Sequence, residues 1–373
     1  RPVRVLMVST SYPRDAGDWR GIFIRHMAFA LTRRTGLELA LWSPPGELAP
    51  GARAATDAKE ARWLEGLMQA GGISHLMRSG RPRALLAPAT LMRLLHRAYR
   101  REAMHDVYHV NWLQCAIPLP ADGKPLLVTV LGNDLKLLRV PLVKRMVRRA
   151  LRGRRAVICP NAEWMCEPLD RAFGDLAEIQ PVAFGIDPAW YGIARRQNDG
   201  PERWLAVTRL TRDKLGPLFE WSEPHFLAGE RELHLFGPRQ EDLAVPKWVH
   251  YHGPATASEL AQRWFPGARG LVTLSQHAEG RPQVMLEAMA AGLPIIASRT
   301  PAHASLVRHG ETGLLCDVPA EYANALFRLG DADYNRRLGE AARRTILAEV
   351  GTWDDCASRY HALYEKLTGN APR

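Results

Sequence analysis

Two glutamates lie on either side of a predicted helix start in the C-terminal half of the chain. Glu279 stands in a polar loop after an apolar run that ends at Leu274, and Glu287 comes eight residues later. Pro282 suits the first turn of a helix, and Gly292 suits its end. Such a helix start offers free N–H groups and the positive end of the helix dipole, which together bind anions such as a diphosphate. The carboxylate of Glu287 could also accept hydrogen bonds from sugar hydroxyls.

A pair of basic residues follows an earlier apolar run, Trp204–Thr208. Arg209 and Lys214 stand close together in a predicted loop. Two cations held in place can stabilise a phosphate leaving group as it gains negative charge, without a metal ion. Basic residues in a loop are more often simply solvated, so the interpretation depends on what the fold brings beside them.

The elements that must position these residues alternate between strand and helix signals. A polar stretch at 195–201 separates two such series. The pattern predicts an α/β protein with two doubly wound domains, at 1–190 and 200–351, and an amphipathic helix within 352–373. Ligands of such sheets bind beyond the carboxyl ends of the strands. The predicted strands are Val3–Ser9, Leu37–Trp42, Val107–Val110, Leu126–Leu131, Ala156–Cys159, Glu178–Val182, Trp204–Thr208, Glu232–Phe236, Trp248–Tyr251, Gly270–Leu274 and Pro294–Ala297.

The segment around the two glutamates resembles the E-x7-E signature of retaining glycosyltransferases of family 4, which have the GT-B fold. The stretch 207–214 resembles the family's G-R-L-x-x-x-K turn, with Arg209 and Lys214 as its basic residues. Weaker matches extend from residue 12 to residue 364, so the resemblance covers almost the whole chain. The signature positions that match in register are Glu279, Gly280, Pro282, Glu287, Ala288, Met289, Ala290, Gly292 and Pro294.

The resemblance implies specific roles around a nucleotide diphospho-sugar, which would be a co-substrate rather than a cofactor. Glu287 would take the ribose hydroxyls. Glu279 would bind sugar hydroxyls and stabilise the positive charge that develops at the anomeric carbon, acting in catalysis with Arg209 and Lys214. The residues implied to hold the donor are Arg209, Lys214, Gly280, Gln283, Val284 and Glu287.

The resemblance also implies the overall arrangement and the stereochemistry. Two Rossmann-like domains would face a cleft, a C-terminal helix would cross back to the N-terminal domain, and the anomeric configuration would be retained. No metal is expected. The Asp331-Ala332-Asp333 sequence could suggest a divalent ion, but it lies between two predicted helices and is interpreted as a helix cap.

The N-terminal half is expected to supply the acceptor and sugar side of the site. Gly21 lies in the loop after the first strand, where the absence of a Cβ permits close backbone approach. The family often has a second glycine before it, and here that position is Arg20. His109 ends a strand that resembles the family's D-V-I-H-x-H, and it is equally well interpreted as a hydrogen-bonded structural residue.

The largest departure from the family pattern is Leu131-Gly132-Asn133-Asp134. The family usually has H-G-x-D, with the histidine close to the transferred sugar. Gly132 and Asp134 remain as acceptor-side or sugar-side candidates, but Leu131 cannot form a hydrogen bond. This feature favours an alternative, a non-catalytic nucleotide-sugar or glycolipid binder on the same fold. A GT-B sugar-nucleotide epimerase is a third possibility, opposed by the presence of both the R-x4-K and the E-x7-E patterns.

The net charge of +11 belongs entirely to residues 1–190. Basic amphipathic stretches at 93–101 and 139–155 indicate an anionic partner: either a lipid surface or a phosphorylated glycolipid acceptor. A solvated helix face is an equally common explanation. Nucleic acid is not expected, because no binding motif accompanies the charge.

Localisation is predicted from what the sequence lacks. The opening apolar run is too short for a signal peptide, no run is long enough to span a membrane, and the five cysteines are scattered. These features predict a cytoplasmic protein, peripheral on the inner face of the cytoplasmic membrane. The expected reaction is transfer of a hexose from a UDP- or GDP-sugar to a lipopolysaccharide or exopolysaccharide acceptor.

Overall fold

A computed structural model describes residues 1–15, 17–277 and 281–369. The chain divides into two compact units. Unit 1 comprises Arg1–Phe184 and Trp353–Arg373, and unit 2 comprises Gly185–Thr352. The first boundary therefore falls before the polar stretch at 195–201, which belongs to unit 2 and is not a linker between the units.

Unit 1 contains a parallel sheet of seven strands in the order β3-β2-β1-β4-β5-β6-β7. Strands β4, β5 and β6 are buried at every position, as expected for central parallel strands that are covered on both faces. The strands are β1 Val3–Val8, β2 Leu37–Trp42, β3 Arg53–Ala54, β4 Val107–Asn111, β5 Leu126–Val130, β6 Ala156–Pro160 and β7 Glu178–Ile179.

Two helices of unit 1, Ala58–Gln69 and Ile73–Arg78, were not predicted from the sequence patterns. The missed signal is a capping box: Asp57 accepts hydrogen bonds from the N–H groups of Lys59 and Glu60, and the Glu60 carboxylate accepts one from the Asp57 N–H. The helices are α1 Ile22–Thr32, α2 Ala58–Gln69, α3 Ile73–Arg78, α4 Ala87–Arg101, α5 Pro141–Leu151 and α6 Cys166–Phe173, with 3-10 turns at Pro82–Leu86, Leu113–Ala116, Asn133–Arg139 and Glu163–Met165.

Unit 2 contains a parallel sheet of six strands in the order β10-β9-β8-β11-β12-β13. The strands are β8 Glu202–Val207, β9 Arg231–Phe236, β10 Val249–Gly253, β11 Gly270–Thr273, β12 Ile295–Ser298 and β13 Leu314–Cys316. The helices are α7 Pro188–Tyr191, α8 Arg212–Leu215, α9 Leu218–Phe226, α10 Ala257–Glu259 with a π-helical turn at Leu260–Trp264, α11 Gln283–Ala290, α12 Pro301–Leu306, α13 Pro319–Gly330 and α14 Ala332–Glu349.

The final helix, α15 (Trp353–Thr368), follows unit 2 in sequence but packs in unit 1. Its buried residues recur every three or four positions. They lie against α1 and against strands β1 and β4 of the unit 1 sheet. This spacing gives the helix one apolar face that must be covered. The buried residues of α15 are Trp353, Cys356, Ala357, Tyr360, His361, Leu363, Tyr364 and Leu367.

Each sheet reverses its strand order next to its first strand. In unit 1, β1 lies between β2 and β4, and in unit 2, β8 lies between β9 and β11. At such a reversal the loops after the two adjacent strands separate, which leaves a crevice at the carboxyl edge of the sheet. The reversal in unit 2 lies between the loop of Arg209 and Lys214 and the loop that leads into α11.

The close contact between α11 and α14 gives a test of the packing in unit 2. A Cβ at Gly339 would lie 2.0 Å from the carbonyl oxygen of Gly292, and overpacking of this kind costs about 1–3 kcal/mol. Gly339→Ala should therefore lower the melting temperature in calorimetry, although alanine favours a helix by about 1 kcal/mol. Gly66→Ala in α2 is the control, because its Cβ would meet no atom within 4 Å and should be stabilising. A Gly339→Ala protein that melts above wild type would contradict this packing.

Candidate functional site

Arg209 lies in the loop that follows β8, and Lys214 lies in the short helix α8 after it, at the strand reversal of unit 2. Thr211 begins the short helix α8, and its hydroxyl accepts a hydrogen bond from the Lys214 N–H at 3.2 Å. Burial and, to a smaller extent, the positive charge of Arg209 together lower the pKa of Lys214 to about 7. Burial also lowers the pKa of Arg209. The two cations are thus close enough to repel each other in a partly desolvated place, which favours binding of an anion.

The loop after β11 is held against this basic loop. The Gln276 N–H donates to the carbonyl of Asp213 at 2.8 Å. Gly216 has a φ of +52°, and a Cβ there would lie 2.1 Å from the carbonyl oxygen of Leu274. Only glycine permits both that backbone conformation and that close approach. The packing therefore fixes the segment carrying Arg209 and Lys214 beside the segment that leads to α11.

Helix α11 begins after this second loop. Its first residue is Gln283, and the preceding Pro282 provides no side-chain cap among the described residues. The Gln283 amide donates to the carbonyl of Gly185 at 3.3 Å, and Val284 is partly buried beside it. Backbone N–H groups at an uncapped helix start, together with the helix dipole, form an anion-binding position. The structure therefore brings Arg209, Lys214, Gln283 and Val284 to the same edge of one sheet.

Glu287 lies one turn further along α11. Burial and, to a smaller extent, the negative charge of Asp187 together raise the pKa of its carboxyl to about 8. Glu287 is therefore mostly protonated at neutral pH when no ligand is bound. A neutral carboxyl both donates and accepts hydrogen bonds, as binding to a pair of hydroxyls requires.

Two of the predicted donor-side residues, Glu279 and Gly280, lie outside the described residues. Their assignments to sugar and diphosphate therefore remain predictions.

In unit 1, Gly21 has an intramolecular reason to be glycine. It begins α1 with a φ of +70°, and a Cβ would lie 2.4 Å from the Ser11 hydroxyl and 2.7 Å from the Tyr12 nitrogen. Because Gly21 has no side chain, the backbone of Ser11 and Tyr12 can pack directly against it. Arg20, which replaces the family glycine, pairs with Asp18 at 2.9 Å and donates to the Met68 carbonyl.

His109 is a core residue, which corrects its assignment to the acceptor side. Its ring is fully buried, and its two nitrogens lie 2.6 Å from the Tyr364 hydroxyl and 2.6 Å from the Thr129 hydroxyl. Burial lowers its pKa to about 3. A neutral imidazole with both nitrogens occupied connects β4, β5 and α15, as the structural interpretation predicted.

Asp134 is 2% exposed and positions two loops, so the structure does not support its direct assignment to the acceptor or sugar. Its buried carboxylate accepts hydrogen bonds from the N–H groups of Leu113 at 3.0 Å and Leu131 at 3.2 Å. Burial raises its pKa to about 6, although these two bonds oppose the shift. Gly132, with a φ of +111°, allows the chain to turn between Leu131 and Asp134. Leu131 itself packs partly against the core.

Trp112 is a candidate residue that the sequence did not single out. Among the described residues it is the only non-glycine residue with a left-handed φ, at +72°. It directly follows β4, precedes the Leu113 N–H that Asp134 binds, and meets the Phe23 ring edge-on at 6.1 Å. Backbone strain of this kind is concentrated at ligand sites. No local sequence signal predicts it, because the tertiary contacts impose the conformation.

The Asp331-Ala332-Asp333 sequence caps a helix, as predicted. Asp331 begins α14 and accepts a hydrogen bond from the Tyr334 N–H at 2.7 Å.

Across residues 1–15, 17–277 and 281–369, no three His, Cys, Asp or Glu side chains are grouped so as to hold a metal ion. Over the same part of the chain, no helix combines the length and apolar character that crossing a membrane requires.

Solved structures identify the fold. The sucrose-phosphate synthase of Thermosynechococcus elongatus matches with a TM-score of 0.72 over 99% of this chain and 100% of that one, at 18% identity. Anabaena HepE, solved in complex with UDP and glucose, matches with a TM-score of 0.67 over 98% and 100% of the two chains, at 13% identity. With its two parallel-sheet, Rossmann-like units, the protein has the GT-B fold of glycosyltransferases.

The sequence of unit 2 resembles one family of proteins. Residues 205–331 match the model of the glycosyl transferases group 1. The D-inositol 3-phosphate glycosyltransferase of Corynebacterium jeikeium is 33% identical over 143 residues, which are 38% of this chain and 33% of the relative. The chain therefore matches about a third of that relative's length. The region 205–331, which matches the family model, contains all the predicted donor-side residues.

The raised pKa of Glu287 predicts a pH-dependent effect on stability. Between its ordinary pKa of 4.5 and its folded value of about 8, the unfolded chain loses this proton while the folded chain keeps it, so rising pH favours unfolding. Glutamine does not titrate, so Glu287→Gln removes this pH-dependent loss of stability. Its melting temperature should exceed that of wild type by more at pH 8.5 than at pH 5, with a gain on the order of 2–4 °C per kcal/mol.

The control for this experiment is Glu223→Gln, at an exposed position of α9. It should shift the melting temperature equally at both pH values. A Glu287→Gln difference that is the same at pH 5 and pH 8.5 would contradict the raised pKa.

Proposed function

We propose that the protein is a retaining, metal-independent glycosyltransferase. It would move a hexose from a nucleotide diphospho-sugar to a glycolipid or polysaccharide acceptor of the lipopolysaccharide or exopolysaccharide type. The observation that carries the proposal is the pair Arg209 and Lys214, held beside the start of α11 at the strand reversal of unit 2.

The electrostatics of this pair support a diphosphate as the ligand. Burial and the charge of Arg209 disfavour the protonated form of Lys214, and an anion between the two cations would reverse both effects. The two negative groups of a diphosphate match two cations and an uncapped helix start. Glu287, one turn further along α11, would meet the ribose hydroxyls as a hydrogen-bond donor and acceptor.

The proposed reaction breaks the bond between the anomeric carbon and the diphosphate oxygen. The electron pair leaves with the nucleoside diphosphate, whose growing negative charge Arg209, Lys214 and the α11 N–H groups would stabilise. The acceptor hydroxyl oxygen then bonds to the anomeric carbon on the face that the diphosphate left, and its proton passes to the departing diphosphate oxygen. Glu279 is proposed to stabilise the positive charge at that carbon. Retention and the role of Glu279 rest on the family pattern.

Uridine diphosphate sugars are the first donors to test, with guanosine diphosphate sugars second. Anabaena HepE, which has a similar fold, was solved with UDP and glucose. A thermal-shift screen against both nucleoside diphosphates identifies the base, because a ligand that binds only the folded protein raises its melting temperature.

The alternative function, a nucleotide-sugar or glycolipid binder without catalysis, is favoured by one residue. Leu131 occupies the position of the family histidine, and its side chain lacks any polar atom that could contact the transferred sugar. A binder would be stabilised by the donor without consuming it.

Donor turnover in the presence of a glycolipid extract separates these functions. Transfer should fall by about 100-fold or more in Lys214→Ala, because removing one stabilising group from a transition state costs roughly 10²–10³ in rate. Arg209→Ala and Glu279→Ala should behave similarly. Arg212→Ala is the matched control, since Arg212 is exposed in the same helix α8.

Two results would contradict the proposal. Stabilisation of the wild-type protein by the donor without turnover would favour the binder. Full transfer by both Lys214→Ala and Glu279→Ala would refute the assigned site.

We also propose that unit 1 places the protein on the inner face of the cytoplasmic membrane through α5. This helix buries Val147, Ala150 and Leu151 and exposes a basic, partly apolar face. Leu142 is 63% exposed on that face. Two basic residues of the stretch 139–155 do not belong to this exposed face. Arg148 pairs with Asp175, and the Arg154 side chain is buried beside Asp122. The α5 face consists of Leu142, Arg145, Arg149 and Arg152.

Vesicle co-sedimentation tests this surface. Binding to vesicles containing phosphatidylglycerol should exceed binding to phosphatidylcholine alone and should fall as salt is added. Replacing Arg145, Arg149 and Arg152 by Gln should weaken it by on the order of 100-fold, at about 1 kcal/mol for each charge removed. The control replaces three exposed arginines of unit 2: Arg212, Arg337 and Arg344. Equal losses in both triple variants would show that net charge, and not the α5 face, is responsible.

A further inference from the structure

A cavity of ≈ 710 Å³ lies at the amino edge of the unit 2 sheet. Its wall includes Arg203 at the start of β8, Arg269 immediately before β11, and Gly292 shortly before β12. The strands are parallel, so this edge is opposite the one that carries Arg209 and Lys214. The cavity is therefore separate from the proposed donor site.

The wall of this cavity has an excess of positive charge. Two of its acids, Asp333 and Glu340, pair with Arg336 at 3.6 and 3.5 Å. The third, Glu202, pairs at 3.0 Å with Arg231, which lies outside the wall, and more weakly with Arg269. We call the site the arginine cavity. Its arginines are Arg195, Arg196, Arg203, Arg269, Arg336 and Arg343.

Four of these arginines have no carboxylate within ion-pair distance in the described part of the chain: Arg195, Arg196, Arg203 and Arg343. The Nε atoms of Arg195, Arg203 and Arg343 are buried and lack a hydrogen-bond partner there. Burial and the charges of Arg269 and Arg343 lower the pKa of Arg195 to about 10. Gathering like charges away from water is unfavourable unless something compensates it.

Internal hydrogen bonds explain only part of this cluster. Arg195 donates to the carbonyls of Ala268 and Gly292, and Arg343 donates to those of Ile193 and Ala291. The bonds to Gly292 and Ala291 complete the C-terminal end of α11, where cations are favourable. They leave Arg203 and the overall positive charge of the cavity without an explanation.

We propose that the arginine cavity binds a phosphorylated small molecule, with Arg203 and Arg269 as its principal anion contacts. Guanidinium groups match phosphate oxygens in charge and in bidentate geometry. Cavities for small ligands measure about 300–1,000 Å³, so this one admits a ligand larger than a single phosphate ion. The phosphate group could belong to an inorganic polyphosphate or to an organic molecule such as a sugar phosphate.

The test uses Lys214→Ala protein, so that anions binding beside Arg209 and Lys214 contribute little. Its melting temperature and isothermal binding heats are measured with inorganic phosphate, tripolyphosphate and glucose 6-phosphate, against sodium chloride of equal ionic strength. We expect tripolyphosphate or glucose 6-phosphate to raise the melting temperature in a saturable way, and by more than chloride does. The stronger of these two ligands identifies the source of the phosphate group.

Variants of the cavity locate the binding. Adding Arg203→Gln and Arg269→Gln should weaken the affinity by about tenfold or more, because each substitution removes charge-assisted hydrogen bonds. The corresponding Lys variants should recover part of it. Arg337→Gln, at an exposed position of α14 outside the cavity wall, is the matched control and should bind as its parent does.

Two outcomes would overturn the proposal: no stabilisation beyond chloride by any phosphate, or unchanged affinity after both Gln substitutions. Cooperative melting of the Gln variants near the parental temperature excludes unfolding as the cause of a loss. This test is independent of the proposed transfer activity. Failure of that activity would leave phosphate binding here intact, and absence of phosphate binding here would leave donor turnover intact.

Discussion

The close approach of two loops at one strand reversal is the constraint on which the candidate site depends. Gly216 lets the chain after β8 pass against the carbonyl of Leu274 after β11, and the bond from Gln276 to Asp213 holds the two segments together. Parallel strands that share a carboxyl edge bring a basic loop beside a helix start. Neither segment alone forms an anion site, because each leaves its charge or its N–H groups to water.

Helix α11 connects two charged regions of unit 2. Its start lies at the carboxyl edge, near Arg209 and Lys214, and its end is completed by Arg195 and Arg343 at the amino edge. Its buried residues anchor it between these edges. Positive charge therefore gathers at both ends of one short helix. At its start that charge adds to the helix dipole, whereas at its end it offsets the dipole.

Unit 1 is organised by buried polar contacts. The ring of His109 connects two strands to α15, and the carboxylate of Asp134 connects the loops after β4 and β5. These groups match family positions, yet their hydrogen bonds are satisfied inside the protein. Their contribution to a ligand site is therefore indirect: they fix the backbone around Trp112 and Leu131.

The sequence by itself determined the two α/β series and the terminal amphipathic helix, since hydrophobic periodicity and turn residues act locally. It also predicted the cap at Asp331. The donor-side residues follow from the family resemblance and stay a prediction. Only the tertiary structure decided that His109 and Asp134 are buried and that Trp112 adopts a left-handed φ. It also assembled the arginine cavity from positions 195 to 343. Burial and partner choice depend on residues distant in the chain, so local patterns cannot specify them.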